Sequence, residues 1–260
     1  MKLSDIKSKA VLRAPRIVLF GSAGIGKTTM GASLPDPIFV QTEDGLGKIA
    51  VDHFPLAETY EEVISALDVL INEDHQFKSV VIDSVDWLES LIYTYTCQKG
   101  NVDSIEQFGY GKGYMEALTW WRQYIDRLNT LRNSKGMLIC QLAHARQVEV
   151  RPPNTEPYHQ WQIKLHKHST ALIKEHCDLL GYCDTKTTIV KSESASGRQF
   201  QKTKSDGKRF IYCNKAPERD TKNRYGIDKE IEMSYDALKD AIAGKKEKPA
   251  PKEAPVQEVV

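Results

Sequence analysis

The sequence is poor in cysteine, and what it has follows no disulfide pattern. Five cysteines, an odd number at irregular spacing, exclude a disulfide-stapled scaffold and point to a reducing compartment. Long apolar runs are missing too, so no segment is expected to cross a bilayer. Met1-Lys2-Leu3-Ser4-Asp5-Ile6-Lys7 lacks the apolar centre of a secretory leader, and a cytoplasmic protein is the expectation. An excess of either charge is absent: 36 Lys and Arg face 35 Asp and Glu, for a net of +1, so the whole chain carries no general attraction to polyanions. No internal repeat is visible. His166, His168, His176, Cys177 and Cys183 lie close in sequence but lack the tight paired spacing of a zinc site. What remains is 260 residues, 40% apolar, enough for one full hydrophobic core.

The stretch that organises this chain is Gly21-Ser22-Ala23-Gly24-Ile25-Gly26-Lys27-Thr28, which fits the pattern G-x-x-x-x-G-K-[ST]. Arg16 to Phe20 reads as a buried strand before it, and Lys27 onward, through Thr29, as a helix start. Backbone N–H groups of such a loop curl around a phosphate, the lysine reaches the β- and γ-phosphates, and the threonine hydroxyl holds Mg²⁺. A glycine-rich turn that binds nothing is the alternative. Farther on, Ser79-Val80-Val81-Ile82-Asp83-Ser84 is an apolar strand ending in a carboxylate, suited to Mg²⁺ beside the loop or to capping the next helix.

Between and after these landmarks, strands alternate with helices. Strands are expected at Ile38–Thr42, Met137–Leu142, Leu179–Val190 and Phe210–Cys213. Helices are expected at Tyr60–Asn72, Trp87–Cys97, Tyr114–Arg132, Lys167–Asp178 and Asp236–Ala243. The alternation implies an α/β fold with a mostly parallel central sheet covered by helices on both faces, and a C-terminal β-hairpin extension. Two long loops are expected. Residues 99–113 are glycine-rich and read as mobile, and residues 147–160, with Pro152, Pro153 and Pro157, read as holding no regular element. Residues 192–207 read as a flexible hairpin tip. Residues 185–225 carry eleven Lys and Arg against four Asp and Glu, suited to a polyanion, to subunit contacts, or to a merely solvated hairpin. The expected organisation is an arm at 1–14, one domain at 15–243 and a disordered tail at 244–260.

In these residues the chain resembles the RecA-like P-loop ATPases over residues 15–227. Phe39-Val40-Gln41-Thr42-Glu43-Asp44 resembles the strand whose terminal glutamate activates water, and Val81-Ile82-Asp83-Ser84-Val85 the Walker B stretch. Met137-Leu138-Ile139-Cys140-Gln141 resembles the following strand, whose polar end senses the γ-phosphate, with His144 near where the family carries an Asn-Gln pair. Thr221-Lys222-Asn223-Arg224 resembles a late basic pair that reaches the ATP of a neighbouring subunit. Within that superfamily the chain is most similar to compact phage-encoded RecA-like ATP-binding proteins of single-strand annealing and recombination.

The resemblance implies ATP and Mg²⁺ as cofactors, with Gly21 through Thr29 on the nucleotide and Thr28 and Asp83 on the metal. It implies Lys27, Glu43, Gln141, His144, Lys222 and Arg224 as catalytic residues. It also implies DNA contacts from two loops, through Lys99, Phe108, Tyr110, Lys112, Arg146, Arg151 and Trp161. Those residues combine cations with rings that stack on bases. Single-stranded DNA, further copies of the chain as a ring or short filament, and a single-strand-binding protein are the implied partners. A nucleotide-kinase-type phosphotransferase and a non-hydrolysing ATP switch are the alternatives. The kinase needs an arginine-rich lid, and none is visible between the two motif strands.

Overall fold

A computed structural model describes residues 13–193 and 199–244, with residues 187–193 and 199–206 described by their backbone alone. The expected arm and tail therefore fall almost wholly outside the described residues. The chain order is β1 (Arg16–Gly21), α1 (Lys27–Ala32), β2 (Pro37–Gln41), β3 (Asp52–His53), α2 (Tyr60–Asn72), β4 (Ser79–Asp83) and α3 (Val85–Gly100). A 3-10 turn at Ile105–Phe108 leads to α4 (Lys112–Ser134), β5 (Leu138–Val150), β6 (Tyr158–Ile163), α5 (Lys167–His176), β7 (Leu179–Glu193) and β8 (Gln199–Tyr212). Two short strands, β9 (Lys222–Asn223) and β10 (Ile231–Glu232), precede α6 (Tyr235–Ile242).

The sheet runs β10-β8-β7-β1-β5-β4-β2-β3. β7, β1, β5, β4, β2 and β3 are mutually parallel, while β8 and β10 pair antiparallel at one edge. Strand β1 shows why the sheet must be covered on both sides. Ile17 and Leu19 enter one core with Met30 and Leu238, and Val18 and Phe20 enter the other with Leu67, Leu88, Trp121 and Leu128. Side chains alternate across a strand, so four consecutive buried apolar residues need helices on each face. Helices α2 to α5 supply one layer, and α1 and α6 the other. The Leu118, Trp121, Ile125, Leu128, Leu131 stripe of α4 is buried throughout. Helix α2 starts on a capping box, in which Thr59 accepts from the Glu62 N–H and Glu62 accepts from the Thr59 N–H.

Both expected loops are shorter and more ordered than the sequence suggests. Between α3 and α4, the Phe108 ring fills the notch left by Gly100 and Gly113, where an added Cβ would collide with it. These glycines permit close packing rather than mobility. The second expected loop is a hairpin: β5 continues to Val150 and pairs antiparallel with β6, Ala145 opposite Ile163 and Val150 opposite Tyr158. All three prolines sit in or beside the connecting turn, where no ladder N–H is required of them. The expected tip at 192–207 is also mostly strand, since β7 and β8 pair from Tyr182–Tyr212 to Glu193–Gln199. Residues 194–198 lie outside the described residues.

Candidate functional site

The site is built at the carboxyl ends of the parallel strands, where neighbouring connections diverge to opposite sides of β1. Gly21 ends β1, and the chain turns through Gly24 and Gly26, both at positive φ (76° and 99°), before α1 begins at Lys27. A side chain at position 26 would meet unfavourable backbone torsion and collide with the Arg209 guanidinium. Lys27 is folded back over the loop, and its Nζ donates to the carbonyls of Gly21 (3.1 Å) and Ser22 (2.9 Å). Burial lowers its pKa below the usual lysine value, against the opposing pull of nearby acids such as Asp83 and Asp86. The same lysine is thus poised to exchange two carbonyls for phosphate oxygens.

Thr28 follows on α1, and its Oγ1 donates to Asp83 Oδ2 at 2.8 Å. Asp83 ends β4, and burial raises its pKa, with the Thr28 bond working the other way and Glu43 adding to the rise. Asp83 does not cap α3; Ser84 holds that position, and no side-chain bond caps the helix. A hydroxyl and a carboxylate meeting beside a phosphate loop form the hard-oxygen pair that Mg²⁺ takes when substrate phosphates and water complete its shell. No group of three or more His, Cys, Asp or Glu suited to a metal occurs among the described residues.

Glu43 is brought to the same place by the end of β2. The Thr42 and Glu43 N–H groups both bond the Asp83 carbonyl (2.8 and 3.3 Å), and Thr42 Oγ1 bonds the Ser84 carbonyl at 2.7 Å. Ser84 Oγ then donates to Glu43 Oε2 at 3.1 Å. From β5, His144 Nδ1 stands 3.9 Å from the same oxygen. Asp86 holds His144 twice, accepting from its backbone N–H and meeting its Nδ1, each at 2.9 Å. The Asp86 bond raises the His144 pKa. Burial alone would raise that of Asp86, but the bonds from His144 prevail and lower it.

A family description, AAA domain, matches residues 13–225. The chain belongs to the AAA domain family. No curated protein matches it. Membership makes the chain a nucleotide-binding P-loop protein of the ATPase class, and the loop just described lies inside the matched span. No helix of the described residues is long and apolar enough to cross a membrane.

One residue expected at the site of this AAA domain lies elsewhere, and the late basic pair lies away from its own loop, as a pair directed at a neighbouring subunit would. Gln141 is fully buried under α4, where its Oε1 accepts from Tyr124 Oη at 2.9 Å. Strand β5 runs beyond Leu142, and the residue level with Gly21 is His144. Lys222 and Arg224 lie toward the opposite, amino-terminal ends of the parallel strands. Strand β9 pairs with the start of β7, Lys222 opposite Leu180, while the loop stands level with Cys183. The Lys222 amine caps α5 through the carbonyls of Lys174 and Glu175 (2.6 and 3.0 Å), and Arg224 bonds Asp178 at 3.2 Å. Asp178 also takes Arg16 and Arg132, while the Arg224 side chain stays half exposed.

The expected DNA contacts are similarly dispersed. Lys99, Phe108, Tyr110 and Lys112 gather at the far end of α3 from Asp86, about 20 Å along the helix at 1.5 Å per residue. Phe108 is packed inward, whereas Tyr110 is fully exposed. Arg151 pairs with Glu149 at 2.9 Å, and Trp161 lies half-buried and stacked on Tyr182 at 6.1 Å. Arg146 alone of the set faces the site side of the sheet, lining a cavity with Asp86.

Arg209 is the residue that sequence reasoning missed. Strand β8 places it opposite Thr185, and its Nη1 donates to the Ile25 carbonyl at 3.3 Å, against the loop. Among the described residues it forms no ion pair. In the sequence it was one of eleven basic residues in the 185–225 stretch, and only the β7–β8 pairing singles it out. Beside it a cavity of about 350 Å³ opens between α1 and the start of α6, lined by Thr29, Met30, Ser33, Met233 and Tyr235.

Proposed function

We propose that this AAA-domain chain is a magnesium-dependent ATPase acting on single-stranded DNA, with Glu43 as the general base toward the attacking water. The observation that carries the reading is the convergence of Glu43, His144 and Ser84 on one point beside the Thr28–Asp83 pair. In this reading the loop N–H groups and Lys27 bind the β- and γ-phosphates. Thr28 and Asp83 would hold Mg²⁺, which would supply positive charge against the phosphates. Glu43 orients a water and accepts its proton, and Ser84 fixes the carboxylate that does so. His144, held by Asp86, sits where negative charge develops. Arg209 contributes a second cation from β8, and the cavity between α1 and α6 seats the nucleoside.

The chemistry favours hydrolysis over transfer to a small acceptor. A kinase-type lid closes with arginines, and this sequence has no arginine between Arg16 and Arg122. The basic excess of residues 185–225 supports a polyanionic partner. Recombination or annealing of the phage type, assembly into a homo-oligomer, a single-strand-binding protein as a further partner and a cytoplasmic setting belong to the same proposal. The test is phosphate release from ATP by the purified chain, with and without Mg²⁺ and with and without single-stranded DNA. The reading expects Mg²⁺-dependent release without any acceptor, accelerated by DNA. Release that needs a small acceptor would support a phosphotransferase instead.

A further inference from the structure

A second cavity, about 500 Å³, opens between the first half of α3 and the β5–β6 hairpin. That volume is within the range of small-ligand sites, about 300–1,000 Å³. Its lining is polarised. Glu89 is buried in it, with both carboxylate oxygens accepting from the His166 N–H (3.1 and 2.9 Å). Arg146 and Lys164 stand exposed at its mouth, and neither forms an ion pair among the described residues. Trp87 lines it from the first turn of α3, half exposed, with no other ring against it among the described residues. Tyr114, stacked on His166 at 4.1 Å, forms an aromatic wall.

This gradient dictates how a ligand would enter. Buried carboxylates repel an anion, so a phosphate stays at the rim with the two cations, and an uncharged, flat group goes inward against the rings. Arg146 and Lys164 come from different positions on the hairpin, one on β5 and one just past β6. They offer contacts to two phosphates, which successive nucleotides of a strand supply and a nucleoside monophosphate does not. We propose that this cavity seats one unstacked base of a single nucleic-acid strand, with Trp87 as its stacking platform and Arg146 and Lys164 on the adjoining phosphates.

The cavity is joined to the nucleotide site by covalent neighbours. Asp86, which grips His144, precedes Trp87. The Lys164 N–H bonds the His144 carbonyl at 2.8 Å. A strand that draws on Trp87 and Lys164 therefore bears on His144 from both sides, and through it on the space beside Glu43. This regulation rests on the ATPase reading, whereas the binding site itself does not.

The test is fluorescence anisotropy of a short labelled oligothymidylate. Trp87→Ala should weaken binding about fivefold or more, the loss of one stacked base. Arg146→Ala and Lys164→Ala should each flatten the slope of log affinity against log salt by about 0.7. Tyr110→Ala and Lys99→Ala, at the far end of α3, should bind as the wild type does. The strand should quench tryptophan emission in the wild type and much less in Trp87→Phe, which keeps a ring there and leaves the fold intact. Unchanged strand affinity in Trp87→Ala and in both cation variants would overturn the proposal and leave ATP turnover untouched. Competition by thymidine monophosphate as effective as by the strand would overturn the assignment to a strand. A wild type that hydrolyses ATP but binds no strand would overturn both this proposal and the DNA part of the functional reading.

Discussion

Thr28 Oγ1 donates to Asp83 Oδ2 at 2.8 Å, joining the first residue past the loop lysine to the end of a strand 55 residues later. Burying Asp83 costs something that this bond only partly offsets, because burial still holds the Asp83 pKa above that of the unfolded chain. A carboxyl that binds its proton more tightly when folded destabilises the fold at any pH above both values. Asp83→Asn should therefore leave thermal stability unchanged or raise it, while removing Mg²⁺-dependent turnover. Thermal melts and phosphate release on the same preparation check this; a clear drop in melting temperature would show Asp83 to be a structural residue.

The His144–Asp86 pair sets a pH window. His144 is raised, so its contribution to stability is fully present below the ordinary histidine value near 6.5 and is lost as pH rises through its elevated folded value. Asp86 is lowered, so its contribution is present above the ordinary value of 3.8 and is lost as pH falls through its depressed one. Asp86→Asn should cost about 1.5–3 kcal/mol at neutral pH, as loss of a charged hydrogen bond. It should also move the alkaline limb of turnover to lower pH. Urea titrations and a rate profile across neutral pH read both; a limb that stays in place would remove His144 from the chemistry.

At the amino ends of β1 and β7, Asp178 is shared by Arg16, Arg132 and Arg224. Asp178→Ala leaves buried guanidinium charge unpaired and should cost about 3 kcal/mol or more. Arg224, half exposed and one of three partners, should cost about 1 kcal/mol or less when changed to alanine. Per-site turnover should be unchanged in Arg224→Ala. If Arg224→Ala loses turnover and regains it on mixing with Lys27→Ala protein, the arginine serves a neighbouring subunit after all.

Arg209→Ala tests the cation that the sheet delivers to the loop. Affinity for a fluorescent ATP analogue should fall about tenfold or more, the value of a charge-assisted hydrogen bond. Arg209→Lys should restore only part of it, because a single ammonium replaces a fork of donors. Full affinity in Arg209→Ala would leave this residue as packing against Gly26.

How much of this was legible in the sequence depends on how local each signal is. The loop and the ends of β2 and β4 are set by short runs in which apolar residues stop at a glycine or an acid, so the neighbourhood of Lys27, Thr28, Glu43 and Asp83 could be read directly. Gln141 failed because β5 extends well past its apolar core, which carries the strand end on to His144. That Lys222 caps α5 and Arg224 bonds Asp178 could not be read, because the antiparallel pairing of β9 with β7 is a long-range fact with no local signature. The same holds for Arg209, indistinguishable by composition from its basic neighbours until β8 aligns it with the loop. The β5–β6 hairpin was obscured by three prolines that proved to lie at its turn.

The central claim is that Glu43 is the base of an ATP-hydrolysing site, and the most direct measurement is ATP binding and phosphate release by Glu43→Gln beside the wild type. An amide keeps the shape and the Ser84 contact but cannot accept a proton from water. The account predicts ATP affinity within about twofold of the wild type and a rate lower by about 10²–10⁴-fold. Wild-type turnover in Glu43→Gln, or ATP bound by the wild type with no phosphate released, would contradict it.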